Sequence, residues 1–176
     1  LVIKNDSKEV TQAFEHVVSS MPINSLVEKL SPPKVVKNAL SNLKYRNTIL
    51  CYIEVDAVDL FSDQWLYLHS SQVMSGRVTN FNNWDIKSYD TTILCFEYWC
   101  NEDDALWNFP STKMRAVVES DFLSLGFGEK KRIINFKAIR IPKSYPLYSA
   151  GYKAHLDIVY KFIATFTNLD VIGRYG

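Results

Sequence analysis

Glycine and proline are scarce, six of each in 176 residues, too few for a collagenous or low-complexity chain. An excess of one charge is missing as well. Lys and Arg number 20 against 19 Asp and Glu, a formal net charge of +1, and the longest basic run is Lys130-Lys131-Arg132. A phosphate backbone meets no electrostatic footprint here, so nucleic acid is not an expected partner. Cysteine is limited to Cys51, Cys95 and Cys100, with no Cys-x-x-Cys pair, and Cys51 and Cys95 lie in apolar runs where a free thiol acts as a small hydrophobe. A reducing, cytoplasmic setting is the expectation. No stretch approaches the roughly 18 consecutive apolar residues of a membrane span, and no charged-then-apolar leader opens the chain.

What is present is the composition of a folded domain, 47% hydrophobic, 22% charged and 14% aromatic. The length predicts one domain over residues 1–176. The chain opens at Leu1 and stops at Gly173-Arg174-Tyr175-Gly176, directly after a strand-like run Leu169–Ile172. The expectation is a middle piece of a longer protein.

Residues 1–6 and Phe14–Ser19 read as two strands closed by a polar hairpin at Asn5-Asp6-Ser7-Lys8, with a helix from Lys8 to His16 as the alternative. Ser31-Pro32 is a helix start, followed by Val35, Val36, Ala39, Leu40 and Leu43 at helical spacing. From Asn47 to Ala57 the chain alternates, with Ile49, Cys51, Ile53 and Val55 on one face and Leu50, Tyr52 and Glu54 on the other. Gln64–His69, Val78–Trp84, Thr91–Cys100 and Ile133–Ile141 look the same, separated by turn residues such as Ser75-Gly76 and Lys87-Ser88-Tyr89-Asp90. Two further helices are predicted. Pro110–Leu125 stripes Met114, Val117, Val118, Phe122 and Leu125 and ends at Gly126, and Ala150–Phe166 stripes Tyr152, Leu156, Val159, Ile163 and Phe166. Strands in hairpin series with helices to one side predict an α+β fold, a mostly antiparallel sheet of five or more strands.

Catalytic motifs are few. Gly126-Phe127-Gly128 lacks the third glycine of a dinucleotide fingerprint, and no P-loop or His-Glu-x-x-His occurs. His16, His69 and His155 have no second His or Cys at metal-ligand spacing, so no metal site is expected. The serines of Ser19-Ser20 and Ser70-Ser71 lack a nucleophile elbow. Glu97 shares a strand face with Ile93, Cys95 and Trp99, and reads either as a buried functional carboxylate or as an exposed or Arg-paired one. The most unusual segment is Arg77-Val78-Thr79-Asn80-Phe81-Asn82-Asn83-Trp84. Its arginine, three amides and two aromatics suit recognition of a polar ring system, with Arg77, Asn80, Asn82 and Trp84 facing a cleft. The same asparagines also suit a turn whose backbone they satisfy. Tyr52, Tyr67 and Tyr98 suit a ring-binding sheet or an ordinary aromatic core, the core being the simpler account.

Several stretches together resemble the middle section of flavin-dependent amine-oxidase-like proteins, the group that contains protoporphyrinogen oxidase, phytoene desaturase and UDP-galactopyranose mutase. They are His16–Pro22, Arg77–Trp84, Tyr145–Tyr152 and Leu169–Gly176, in that order. The resemblance implies a substrate or cap domain, an antiparallel sheet with helices on one side inserted into an FAD-binding domain. The candidate substrate contacts, read from the residues themselves, are Arg77, Asn80, Asn82, Trp84 and Tyr98. The resemblance also implies FAD-side contacts at Ser20, Pro22, Tyr148, Gly173 and Arg174, FAD in the full-length parent, and none bound to this fragment. The expected partners are a small-molecule substrate and the FAD-binding domain of the same chain, whose docking surface would be left as an apolar patch or covered by a non-physiological dimer. Asn80 stands where the mutases carry an acidic residue. A free-standing module binding a sugar or ring compound is the alternative, with a structural or interaction domain as a third reading.

Overall fold

The computed structural model describes residues 2–5, 8–84 and 90–173. The chain divides into two compact units, one of residues 45–144 and the other of residues 1–44 together with 145–176.

The first unit is built on a five-stranded sheet. Its strands are β4 (Lys44–Val55), β5 (Trp65–Tyr67), β6 (Arg77–Asn80), β7 (Thr92–Cys100) and β8 (Ile133–Leu147), in the spatial order β5-β6-β7-β4-β8. β5 with β6, β6 with β7 and β7 with β4 are antiparallel. β8 continues the pattern, since Lys143 N–H donates to Asn47 Oδ1 at one end of β4 and Asn135 donates to Glu54 at the other. The alternation read from Asn47 to Ala57 is realised: Ile49, Cys51, Ile53 and Val55 are buried, opposite Tyr98, Phe96, Leu94 and Thr92 of β7.

One helix, α3 (Ser111–Ser124), closes this core. Pro110 pre-sets its entry and its carbonyl accepts the Lys113 and Met114 N–H groups; Gly126, at φ +74°, follows its end. Met114, Val118 and Phe122 lie at i, i+4 and i+8, so one stripe enters the core with Val78, Leu94, Phe96 and Tyr98. Each such fully buried side chain contributes roughly 1.5–3 kcal/mol of burial.

Two predicted boundaries move. The strand expected over Val78–Trp84 is β6, which ends at Asn80, because Asn80 Oδ1 accepts the Asn82 N–H and turns the chain into a single 3-10 turn over Phe81–Trp84. β8 runs on through Pro142 and Pro146 to Leu147, which an edge strand tolerates. The Lys87–Asp90 turn falls, except for Asp90, outside the described residues.

The second unit carries β1 (Val2–Asn5) and β2 (Lys8–Thr11), β3 (Val17–Ser19) and β9 (Leu169–Val171), with helices α1 (Ile23–Glu28), α2 (Lys34–Leu40) and α4 (Tyr152–Ile163). The expected hairpin partner is corrected. β1 pairs antiparallel with Lys8–Thr11, while Val17–Ser19 pairs in parallel with Leu169–Val171. No helix forms from Lys8 to His16. α2 also starts later than read: Ser31 sits at φ +53° and caps nothing, and the Pro32-Pro33 pair keeps the chain extended until Lys34. Ile23, Val27, Val36, Ala39, Leu40, Val159 and Ile163 form a core of their own. Among the described residues no helix is long and apolar enough to cross a membrane. The molecule is α+β.

Candidate functional site

The period-2 alternation that fills the core on one side of the sheet sends the other residues to the opposite, outer face. There Tyr67, Arg77 and Glu97 line up across β5, β6 and β7, and Trp65, Thr79, Cys95 and Tyr52 form the next row across β5, β6, β7 and β4. Arg77 Nε donates to Glu97 Oε1 at 2.7 Å and its Nη2 lies 2.6 Å from the same oxygen. The guanidinium also sits over the Tyr67 ring, 5.8 Å from the centroid. Glu97 is the Arg-paired carboxylate of the two readings left open by the sequence.

Two aromatic stacks stand on this face. Trp84 stacks on Trp65 with centroids 5.6 Å apart, and Phe81 stacks on Tyr52 at 6.0 Å. Trp65 is 43% exposed, Tyr67 56%, Phe81 42% and Trp84 61%, so four rings face solvent within one stretch of sheet. Burial raises the Tyr52 phenol above its ordinary range, Cys95 beside it adding to the shift.

The asparagines hold the turn. Buried Asn80 donates to the Phe61 carbonyl, Asn82 donates to the Thr91 carbonyl at 2.7 Å and accepts the Ile93 N–H, and Asn83 donates to the carbonyls of Phe61 and Asp63. Their amides are engaged with backbone and position Trp84. Tyr98 lies on the core face, fully buried, its hydroxyl donating to Asp121 Oδ2 at 3.1 Å. Burial, and behind it the Asp121 carboxylate, push the phenol far above its usual range. Asp121 also accepts the N–H groups of Met74 and Ser75, tying their loop to α3. Of the five residues singled out for substrate, the structure thus brings Arg77 and Trp84 to the outer face and uses Asn80, Asn82 and Tyr98 beneath or beside it. Trp65 was not singled out, because the pairing and register of β5 with β6 are written in neither segment alone. The alternation in Gln64–His69, which sends Trp65 and Tyr67 to the same face, was the available signal.

Of the residues assigned to the FAD side, Ser20 and Pro22 follow β3 and Gly173 follows β9. The two strands are parallel, Ser19 opposite Val171, and the Ile172 N–H donates to the Ser19 carbonyl, so these three residues emerge at one end of the pair. Pro22 precedes α1, and its carbonyl accepts the Leu26 N–H. Gly173 takes φ +83°. Tyr148 is exposed and packs on Tyr152 at 5.0 Å, and Arg174 lies outside the described residues. The same unit has an open cavity of about 580 Å³ lined by Asn24, Glu28, Pro32, Lys37, Leu40 and Lys44 among others. No group of His, Cys, Asp and Glu able to hold a metal occurs among the described residues.

The described residues do not make up a whole FAD site. The one Gly-x-Gly of the sequence, Gly126 and Gly128, follows the end of α3 instead of opening a helix, so it offers no helix N-terminus to a pyrophosphate.

No family model matches the chain, and no curated protein matches it in sequence. Solved structures do match. A reduced UDP-galactopyranose mutase superposes with a TM-score of 0.77 at 16% identity, over 96% of this chain and 37% of the mutase. A protein assigned as a protoporphyrinogen oxidase from Exiguobacterium sp. 255-15 gives 0.72 at 15% identity, over 98% of this chain and 38% of its own. A putrescine oxidase variant gives 0.52 at 11% identity, over 70% of this chain and 28% of the oxidase. The chain spans less than two fifths of each of these proteins. Over nearly its whole length it has the fold of one section of the mutase and of the Exiguobacterium protein.

Proposed function

We propose that this chain is the substrate-binding section of an FAD-dependent oxidoreductase or flavin-dependent mutase, working in the cytoplasm with a flavin held by a further domain of the same protein. The observation that carries the reading is the fold match over 96–98% of this chain but 37–38% of the matched enzymes. The outer face of the sheet supports it. Arg77 and Trp84, with Trp65 and Tyr67, supply the contact surface, while Asn80, Asn82 and Tyr98 hold that surface in place. Ser20, Pro22, Gly173 and Arg174 are assigned to the flavin-side domain contact, with Tyr148 as a further member. The chain itself shapes and orients; the redox chemistry belongs to the flavin.

The test is the absorption spectrum of the protein encoded by the whole reading frame that contains this sequence, purified without added cofactor. A bound flavin band is the expected result. A whole-frame product that carries no flavin and takes none up overturns the proposal and leaves the free-standing binding module.

A further inference from the structure

β3 and β9 make a sheet of two strands, three residues each, and the strands run parallel. Parallel pairing is slightly weaker per residue than antiparallel pairing, and a two-stranded sheet is marginal in either sense. Parallel sheets are found almost only where both faces are covered.

This pair is covered on one side alone among the described residues. Leu169 and Val171 pack against the core shared by α1, α2 and α4. The opposite face carries Val18, across from Asp170 in the register, and Val18 is 58% exposed. Both long edges are open as well. Successive backbone groups along a strand point to opposite edges, and two bonds, Val17 N–H to the Asn168 carbonyl and Ile172 N–H to the Ser19 carbonyl, fix which ones point inward. Val17, Ser19 and Asp170 address the partner strand. The N–H and carbonyl of Val18 on β3, and those of Leu169 and Val171 on β9, point away, and no further strand pairs with them among the described residues.

Such an edge is a template for another strand. A second copy related by a twofold axis would add its own edge strand antiparallel, and three residues give it little to hold. A parallel neighbour, by contrast, arrives through a long crossover of the same chain. Resting on the reading of this sequence as one section of a longer flavoenzyme, we infer that β3 and β9 are two members of a larger parallel sheet whose other strands come from the part of the protein outside these 176 residues. The matched mutase and the Exiguobacterium protein have the length for it, since this chain covers 37% and 38% of theirs. The contact between the two parts of the protein is then a main-chain ladder.

The test is amide hydrogen exchange, resolved residue by residue, on the whole-frame product. In a bare pair protection alternates: Ser19 and Asp170 exchange slowly, while Val18, Leu169 and Val171 exchange at nearly the free-chain rate. In the larger sheet the outward amides of at least one strand are expected to slow by roughly a hundredfold or more, at every protein concentration. Alternating protection on both strands would overturn the inference. So would protection lost on dilution, which puts a second copy at the edge, and so would a whole-frame structure with a helix or loop there in place of a strand. The flavin band read on the same sample separates the two claims. A flavin-bearing product with alternating protection overturns this inference and leaves the proposed function, whereas a flavin-free product with continuous protection does the reverse.

Discussion

Arg77 and Glu97 stand directly opposite one another on β6 and β7, and share a hydrogen bond of 2.7 Å through Nε. Their exposures differ, 27% for the arginine side chain and 8% for the glutamate. Removing the arginine strands a carboxylate away from water, whereas removing the glutamate leaves a guanidinium that still reaches solvent. Arg77→Met is expected to cost about 2–4 kcal/mol and Glu97→Gln about half as much. Urea denaturation of the two variants checks the order, and equal costs would contradict it.

The sequence made the core strand and the α3 stripe legible because both follow strict periods. The alternation of Ile49, Cys51, Ile53 and Val55 and the spacing of Met114, Val118 and Phe122 each survive into the structure as a buried face. The asparagine turn was half legible. Its residue types were noticed, but whether an amide meets a ligand or a carbonyl depends on where Phe61 and Thr91 arrive, which no local pattern encodes. The parallel pairing of Val17–Ser19 with Leu169–Val171 joins segments about 150 positions apart and had no signal in either segment. The Trp65–Trp84 stack joins nearby segments, but it depends on the 3-10 turn over Phe81–Trp84, where the sequence reads a continuing strand.

Asp121 is 2% exposed and accepts from Tyr98, Met74 and Ser75. Asp121→Ala strands a phenol and two backbone donors together and is expected to cost about 3–5 kcal/mol. Asp121→Asn keeps one acceptor and is expected to cost about 1–3 kcal/mol. Hydrogen exchange at Met74 and Ser75 should accelerate in both variants. Unchanged protection there would show that the loop is held by something else.

A side chain at Gly76 has no room. A Cβ there would press into the six-membered ring of Trp99, while the Gly76 N–H and carbonyl are fixed by Glu97 and Leu68. Gly76→Ala is expected to destabilise by roughly 1–3 kcal/mol and to change the Trp99 contribution to the near-ultraviolet circular dichroism. A neutral substitution with an unchanged spectrum would contradict this packing.

Burial pushes the Cys51 thiol up to about 12 from 9.0, with Cys95 adding to the shift, and pushes Cys95 up to about 12, with Glu97 adding. A thiol whose value is raised in the folded state holds its proton longer than it does in the unfolded chain. The stabilisation is therefore present below pH 9.0 and is lost as the pH rises from there towards about 12. Both thiols should resist a disulfide-exchange reagent at pH 8 until denaturant is added, and urea midpoints should fall above pH 9. Stoichiometric labelling of Cys51 and Cys95 in the native protein would contradict the fold.

The His16–Asp170 contact, 2.9 Å long, joins two exposed side chains beside the β3–β9 pair. Such pairs contribute about 0–1 kcal/mol, so Asp170→Asn should leave the midpoint almost unchanged. A large loss would give this contact a structural weight that its exposure does not support.

The most direct measurement of the central claim is a crystal structure of the whole-frame product. The expected result is a flavin ring facing the outer side of the five-stranded sheet, the side that carries Arg77, Trp65 and Trp84. A flavin lying on the α3 side of that sheet, or a whole-frame product with no flavin-binding domain, would contradict the assignment of this chain as the substrate-binding section of a flavoenzyme.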